Sequence, residues 1–426
     1  MTVPESTAPA APIESPAAPG TGTARFVGTE RPFWRLLVRG ALLLLLSLGL
    51  YRFWLVTDLR RYLWIHTEIA GDGLEYLGTA RELLLGFLIA IALLIPLNAA
   101  FFLAALDLGL IGRILPMFAL VFLALLGHFA VYRARRYRLS RTLWRGIRFR
   151  QTGSAWRYAV CAMFWWTLIV LTLGLAYPWA VASLERLKMD HTHYGDLKGH
   201  FAGSAFALFF RGVLMWALVM VPTVFAVAAA LGAVEWRQLA AAVRRGSDLA
   251  AELESAGVSN ALVYAMLALG WAVAAAAVLY PVFQAMVLRW WISGLRFGRI
   301  TLTSRLRTSR VYAVYVRFMW YALLAGIVIL IAAAMGLLGV DLLTRPSGAD
   351  RLQQVAATAF LVLVYVVVAL AYSTIYQGTV KLRLWRLGFE SLELAGLETL
   401  SEVRAVDAAG SPVGEGLADA LNVGGI

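Results

Sequence analysis

Apolar residues gather in eight long stretches, roughly 33–57, 82–106, 114–132, 156–182, 205–234, 258–288, 311–340 and 352–380. Each reaches the roughly 20 residues that a membrane-crossing helix needs. A simple count predicts eight crossings. The connections object to that count. Residues 133–157 carry nine arginines and 289–317 carry seven, with no acid in either segment. Both are expected in the cytoplasm, because arginine-rich connections stay on that side. The connections 107–113, 235–254 and 341–351 are short and nearly balanced, and read as external. Three apolar stretches separate the two basic segments, and three crossings would place those segments on opposite faces. One stretch must therefore turn back, or one basic segment must break the rule.

An internal repeat indicates which. Residues 46–79 align with 171–204 at a constant offset of 125, with eleven identities in 34 positions: Leu46, Leu48, Gly49, Leu50, Trp54, Val56, Leu59, Arg61, His66, Thr67 and Gly78. The partners of the most distinctive of these are Gly174, Trp179, Arg186, His191, Thr192 and Gly203. The stretches 33–57 and 156–182 each hold a late glycine, Gly49 or Gly174, and the second adds Pro178. Gly and Pro break membrane helices where the freed backbone groups are buried in protein or wetted. The reading is an all-α polytopic membrane protein with six spanning helices and two broken, re-entrant apolar segments. Eight plain spans remain the alternative. Short cytoplasmic strands or hairpins are expected at 68–79, 145–154, 193–204 and 294–304. The expected organisation is a disordered tail (1–23), membrane repeat one (24–137), membrane repeat two (138–290), a helical hairpin (291–386) and an acidic tail (387–426).

Composition agrees with a bilayer. The 426 residues are 61% apolar and 15% charged, and mean hydropathy is +0.74. A soluble domain is about 45–50% apolar and about 25% charged. Net charge is +13, carried almost wholly by arginine, since lysine occurs only at 188, 198 and 381. Lying between apolar stretches, this charge points to anionic lipid at the cytoplasmic face and not to nucleic acid. The lone Cys161 excludes a disulfide within the chain. The first 23 residues lack the basic start, apolar stretch and cleavage site of a secretory signal. Both termini are expected in the cytoplasm.

The chain resembles the YjgN family of bacterial inner-membrane proteins. The likeness rests on 171–179 (Leu-Thr-Leu-Gly-Leu-Ala-Tyr-Pro-Trp), its copy around Gly49, and the His66-Thr67 arm with Tyr76-x-Gly78-Thr79 downstream. It extends to 145–149 (Arg-Gly-Ile-Arg-Phe) and the ending 414–421. The resemblance implies a multi-pass inner-membrane protein and lends no activity, substrate or catalytic residue. Members often carry Asn where His66 and His191 stand.

Candidate chemistry is sparse. Arg133, Arg135, Arg136, Arg138, Arg141 and Arg145, interleaved with Tyr132, Tyr137 and Trp144, form the best candidate site for lipid phosphate, since Arg forks bind phosphate oxygens. Gly49, Trp54, Gly174, Pro178 and Trp179 are candidates for a helix break that lines a cavity. His66, Thr67, His191 and Thr192 are repeat-equivalent polar positions, expected to cap helix ends. Arg39 and Arg211 lie just inside their apolar stretches, where they can snorkel to the headgroups. No phosphate loop, nucleophile elbow or zinc motif occurs. The expectation is a non-enzymatic protein without metal or cofactor. It is read as a transport or permeation protein for an unidentified small solute, or alternatively as an envelope protein that binds anionic lipid or a partner through its Arg-rich face.

Overall fold

The computed structural model describes residues 20–107, 109–245, 257–344 and 350–405. The expected tail up to residue 19, the connection 246–256 and the ending 414–421 lie outside them. Short strands alternate with pairs of helices in a fixed rhythm. Strand β1 (Thr21–Phe26) leads into α1 (Glu30–Leu46) and α2 (Arg52–Ile65), and the chain returns through the hairpin β2 (Thr67–Ile69) and β3 (Asp72–Tyr76). Helices α3 (Ala80–Asp107) and α4 (Gly109–Ser140) precede the hairpin β4 (Thr142–Trp144) and β5 (Ile147–Gln151). Helices α5 (Ala155–Leu171) and α6 (Tyr177–Met189) precede β6 (Thr192–Tyr194) and β7 (Leu197–Phe201). Next come α7 (Ala205–Gly232), α8 (Trp236–Arg245) and α9 (Val258–Gly294), then β8 (Leu295–Phe297) and β9 (Ile300–Ser304). Helix α10 (Thr308–Thr344), α11 (Asp350–Tyr376), a π turn (Gln377–Lys381) and α12 (Leu382–Glu390) lead to the last strand, β10 (Leu392–Ala395).

The ten strands close into one antiparallel barrel in chain order, sealed by β1 against β10 with Thr21 opposite Ala395. This corrects the expected all-α fold with scattered β-elements. A hairpin of three and five residues cannot stand alone, and its open edges are an association hazard. Each hairpin is paired by the next, and the ring leaves no edge. Side chains alternate across it. Ala24, Phe26, Leu74, Tyr76, Trp144, Tyr194, Phe201, Leu392 and Leu394 are buried. The intervening positions carry Arg25, Glu68, Glu75, Arg148, Arg150, Lys198, His200, Arg296 and Glu393. A barrel in lipid presents an apolar band outward; this one presents charge. Leu397, Leu400 and Val403, from the segment after β10, pack on Leu74, Trp144 and Tyr194 and fill the end of the barrel that carries the hairpin turns. The stretch from 387, read as an acidic tail, thus supplies the closing strand and a plug.

All five helical excursions leave from the other end of the barrel and return to it. Among the described residues, six helices are long and apolar enough to cross a membrane: Ala80–Leu103, Leu115–Ser140, Ala205–Gly232, Val258–Gly294, Thr308–Leu342 and Gln353–Glu390. The first and third excursions are shorter. At 17 residues, α1 and α5 each rise about 25 Å, short of a hydrocarbon core of about 30 Å. Both stop at an elbow with the same backbone. Leu48 has φ 50° and Gly49 φ 93°, while Leu173 has φ 50° and Gly174 φ 95°. The elbow amides close back on the helix, Gly49 N on Leu44 O and Gly174 N on Ile169 O. This satisfies carbonyls that a helix end leaves open.

A basic collar between barrel and helices

The junction of barrel and helices is built by a few recurring contacts. At the start of three excursions a glycine follows two residues after an aromatic: Gly28 after Phe26, Gly78 after Tyr76 and Gly203 after Phe201. In each case a Cβ would lie 2.5 Å from that ring. The aromatic ring folds across the glycine as the strand ends, so no larger residue fits.

At the returns, threonines open the strands and bond back to the preceding helix. Thr67 Oγ1 donates to Leu63 O, Thr142 Oγ1 to Arg138 O and Thr192 Oγ1 to Lys188 O. His66 Nδ1 lies 2.8 Å from Tyr62 O, and His191 Nδ1 lies 2.8 Å from Leu187 O. These four repeat-equivalent residues satisfy carbonyls at helix C-termini. Among the described residues no group of three or more His, Cys, Asp or Glu could hold a metal ion.

Arginines then tie each return to the next departure. Arg61 Nη2 donates to Gly78 O at 3.1 Å, Arg186 Nη2 to Gly203 O at 3.1 Å and Arg289 Nη1 to Leu306 O at 3.4 Å. Because a closed ring fixes where every excursion starts, their boundary arginines gather within about three helical turns of the barrel. Arg31, Arg35, Arg39, Arg81, Arg157, Arg211, Arg310 and Arg317 lie near the starts, and Arg60, Arg61, Arg186, Arg289 and Arg383 near the returns.

The arginine arm of α4 does not converge on one point. Arg133 lies over the Phe129 ring at 6.0 Å, and Arg141 bonds Glu82 and covers Tyr137. Arg145, at the β4–β5 turn, bonds Asp72 and covers Trp144. Arg136 and Arg138 are half-buried. Arg135 is half-buried beside α6, with Nη2 3.4 Å from Met189 Sδ and Nη1 unpartnered. Nearby on α6, Glu185 forms an ion pair with Lys188. Burial pushes the Glu185 carboxyl up, but Lys188, Arg135 and the Trp291 indole outweigh it and leave it below the usual carboxylate range. Burial, with Arg135 and Arg138 beside it, holds Lys188 below the ordinary lysine range despite its partner. Two neighbouring cations account for the Glu185 direction, and burial for that of Lys188.

The elbow residues separate. Gly174 and Pro178 line an apolar cavity of about 380 Å³ with Tyr177, Phe209, Val213, Trp216, Tyr280, Phe283 and Met286. Gly49 faces open space, with Leu48 95% exposed. Trp54 stacks on Tyr51, and Trp179 packs on Phe206 and Phe209. A second, polar cavity of about 630 Å³ lies between the start of α7 and the end of α9, lined by Ser204, Arg211, Arg289, Trp290, Ser293 and Ser304 among others. The sequence reading treated Arg211 only as a boundary residue and did not pair it with Arg289. Each lies within about two turns of an excursion's boundary with the barrel, which is the signal that links them.

The family now follows from the chain itself. Residues 21–325 match DUF898, described as bacterial protein of unknown function. The chain belongs to this family. The match runs from β1 into α10, so it covers the first four excursions and nine of the ten strands. No curated protein and no solved structure matches the chain. Membership of a bacterial family, together with six apolar helices of spanning length, makes this a bacterial membrane protein.

Proposed function

We propose that this is a non-catalytic inner-membrane protein, with both termini in the cytoplasm, that binds anionic lipid headgroups through its basic collar. The observation that carries this reading is the gathering of the boundary arginines in the helical turns next to the barrel. A charged barrel in water and apolar helices in lipid leave the collar at headgroup depth, where Arg forks meet phosphate and positive charge marks the cytoplasmic side. The collar replaces the single α4 arm as the lipid-facing element, because Arg135, Arg141 and Arg145 already have neighbours within the protein. The matching elbows and return threonines of the first and third excursions support descent of both from one duplicated unit. The permeation reading gains less. The barrel interior is filled with aromatic and aliphatic side chains, its outer end is plugged, and one of the two elbows faces no cavity.

Vesicle flotation tests the proposal. Detergent-purified protein reconstituted at low density should retain added dioleoylphosphatidylglycerol over dioleoylphosphatidylcholine, with the preference falling as salt rises. Equal retention of both lipids at low salt would refute it, as would uptake of a small solute into sealed vesicles that is lost on Gly174→Leu.

A further inference from the structure

Two cavities flank the seam between α7 and α9, and Met286 lines both. On α9, Phe283, Met286 and Arg289 follow at three-residue steps, so they run along one side of the helix. The apolar cavity takes the Phe283 and Tyr280 side, and the polar one takes the Arg289 and Ser293 side. On α7, Val213 and Trp216 face the first and Ser204 and Arg211 the second. Opposite Met286 stands Gly212, where a Cβ would lie 3.4 Å from the methionine methyl. The wall between the cavities is therefore one flexible thioether set against a residue without a side chain, and Met repacks readily.

The linings are chemically opposed. The apolar cavity runs from Ala276 to Met286, ten residues or about 15 Å of helix. The polar one holds two guanidinium groups and three serine hydroxyls and is lined by no carboxylate. Arg289 is anchored through Leu306 O, and the Trp290 indole donates to Ser204 O at 2.9 Å, which braces the rim. Ser204 also caps the 28-residue α7, whose first turn turns its amide dipole towards the polar cavity.

We propose that this seam is a binding site for one anionic phospholipid, with the phosphodiester headgroup on Arg211 and Arg289 and an acyl chain in the apolar cavity beside Gly174. Charge complementarity selects the anionic headgroup, and the adjoining apolar slot selects a lipid over free phosphate. The proposal rests on the collar lying at headgroup depth.

Native mass spectrometry of the full-length protein in neutral detergent, titrated with dioleoylphosphatidylglycerol, tests it. The wild type should retain one such lipid at least tenfold more tightly than dioleoylphosphatidylcholine. Arg211→Gln with Arg289→Gln should weaken that single lipid at least tenfold, and Val213→Trp, which fills the slot from the other end, should do the same. Inorganic phosphate at millimolar excess should displace little. Retention at wild-type strength in both variants would overturn the proposal. So would displacement by phosphate alone, which would assign the arginines to a free anion. The collar variant Arg81→Gln with Arg157→Gln separates the two readings. It should lower vesicle preference while leaving the single tight lipid in place. Loss of vesicle preference in the wild type, with the single lipid retained, would instead sink the collar and spare the seam.

Discussion

At the scale of single residues, the buried polar groups decide most. Glu185 balances Arg135 and Lys188 where water is scarce, so removing its charge leaves two largely covered cations facing each other. Glu185→Gln is expected to destabilise the protein by about 3–5 kcal/mol, read from chemical unfolding of the detergent-solubilised chain. Gln151 presents the opposite case. It is 1% exposed, and neither amide atom has a protein partner. Gln151→Met keeps the shape and removes both polar atoms, and should raise stability by about 1 kcal/mol in the same assay. His193 sets a pH dependence. Burial first, then Arg150 beside it, hold its imidazole below the ordinary histidine range. The unfolded chain therefore binds the proton more readily, and stability falls as pH drops from about 6.5 through the lowered folded value. His193→Gln should flatten the difference in unfolding midpoint between about pH 7.5 and about pH 5. Buried Tyr194 is pushed up to about 12 and stays protonated throughout, so it adds nothing to that slope. Little of this was legible beforehand. Glu185 and Lys188 read as ordinary charges at a helix end, and nothing local announces that α4 brings Arg135 against them.

At the scale of elements, the elbows were the most legible feature. A glycine late in an apolar run, repeated with its Trp and Arg at fixed distance, marks a place where the backbone must leave the helix. The structure adds the reason for glycine, a left-handed φ that a side chain strains. Gly49→Ala is expected to cost about 1–3 kcal/mol through backbone strain alone. Gly174→Ala should cost about the same, because its added Cβ would only come into ordinary contact with the Trp216 indole, 3.5 Å away. Paired melting curves of the two variants check that the losses match. The strands were far less legible. Three-residue strands such as Thr142–Trp144 are too short for alternation to register, so the hairpins were visible as fragments and the ring was not. Strand β1 fell partly within what read as a disordered tail, and β10 hid among the acids after residue 387. Its Leu-Glu-Leu alternation becomes meaningful only against β9.

At the scale of the molecule, a closed ring imposes what charge counting could only argue. Every excursion must come home to the same end of the barrel, so the connections 70–71, 145–146, 195–196 and 298–299 share one side of the membrane whatever the helices between them do. In a Cys161→Ser background, single cysteines at Glu75, Arg145, Lys198 and Arg299 should all be labelled by an impermeant maleimide from one face, and a cysteine at Trp236 from the other. Labelling of Arg145 and Lys198 from opposing faces would contradict the ring. The seal between β1 and β10 carries a consequence for biosynthesis. The first strand to leave the ribosome soon gains β2 along Ala24–Phe26, but its other edge, at Thr21–Thr23, waits until nearly four hundred residues have been threaded through the insertion machinery. A nascent chain that stalls or is cut before Leu392 exposes raw sheet margins to the cell's proteases, so completion of the last strand doubles as a certificate that every earlier segment has been inserted.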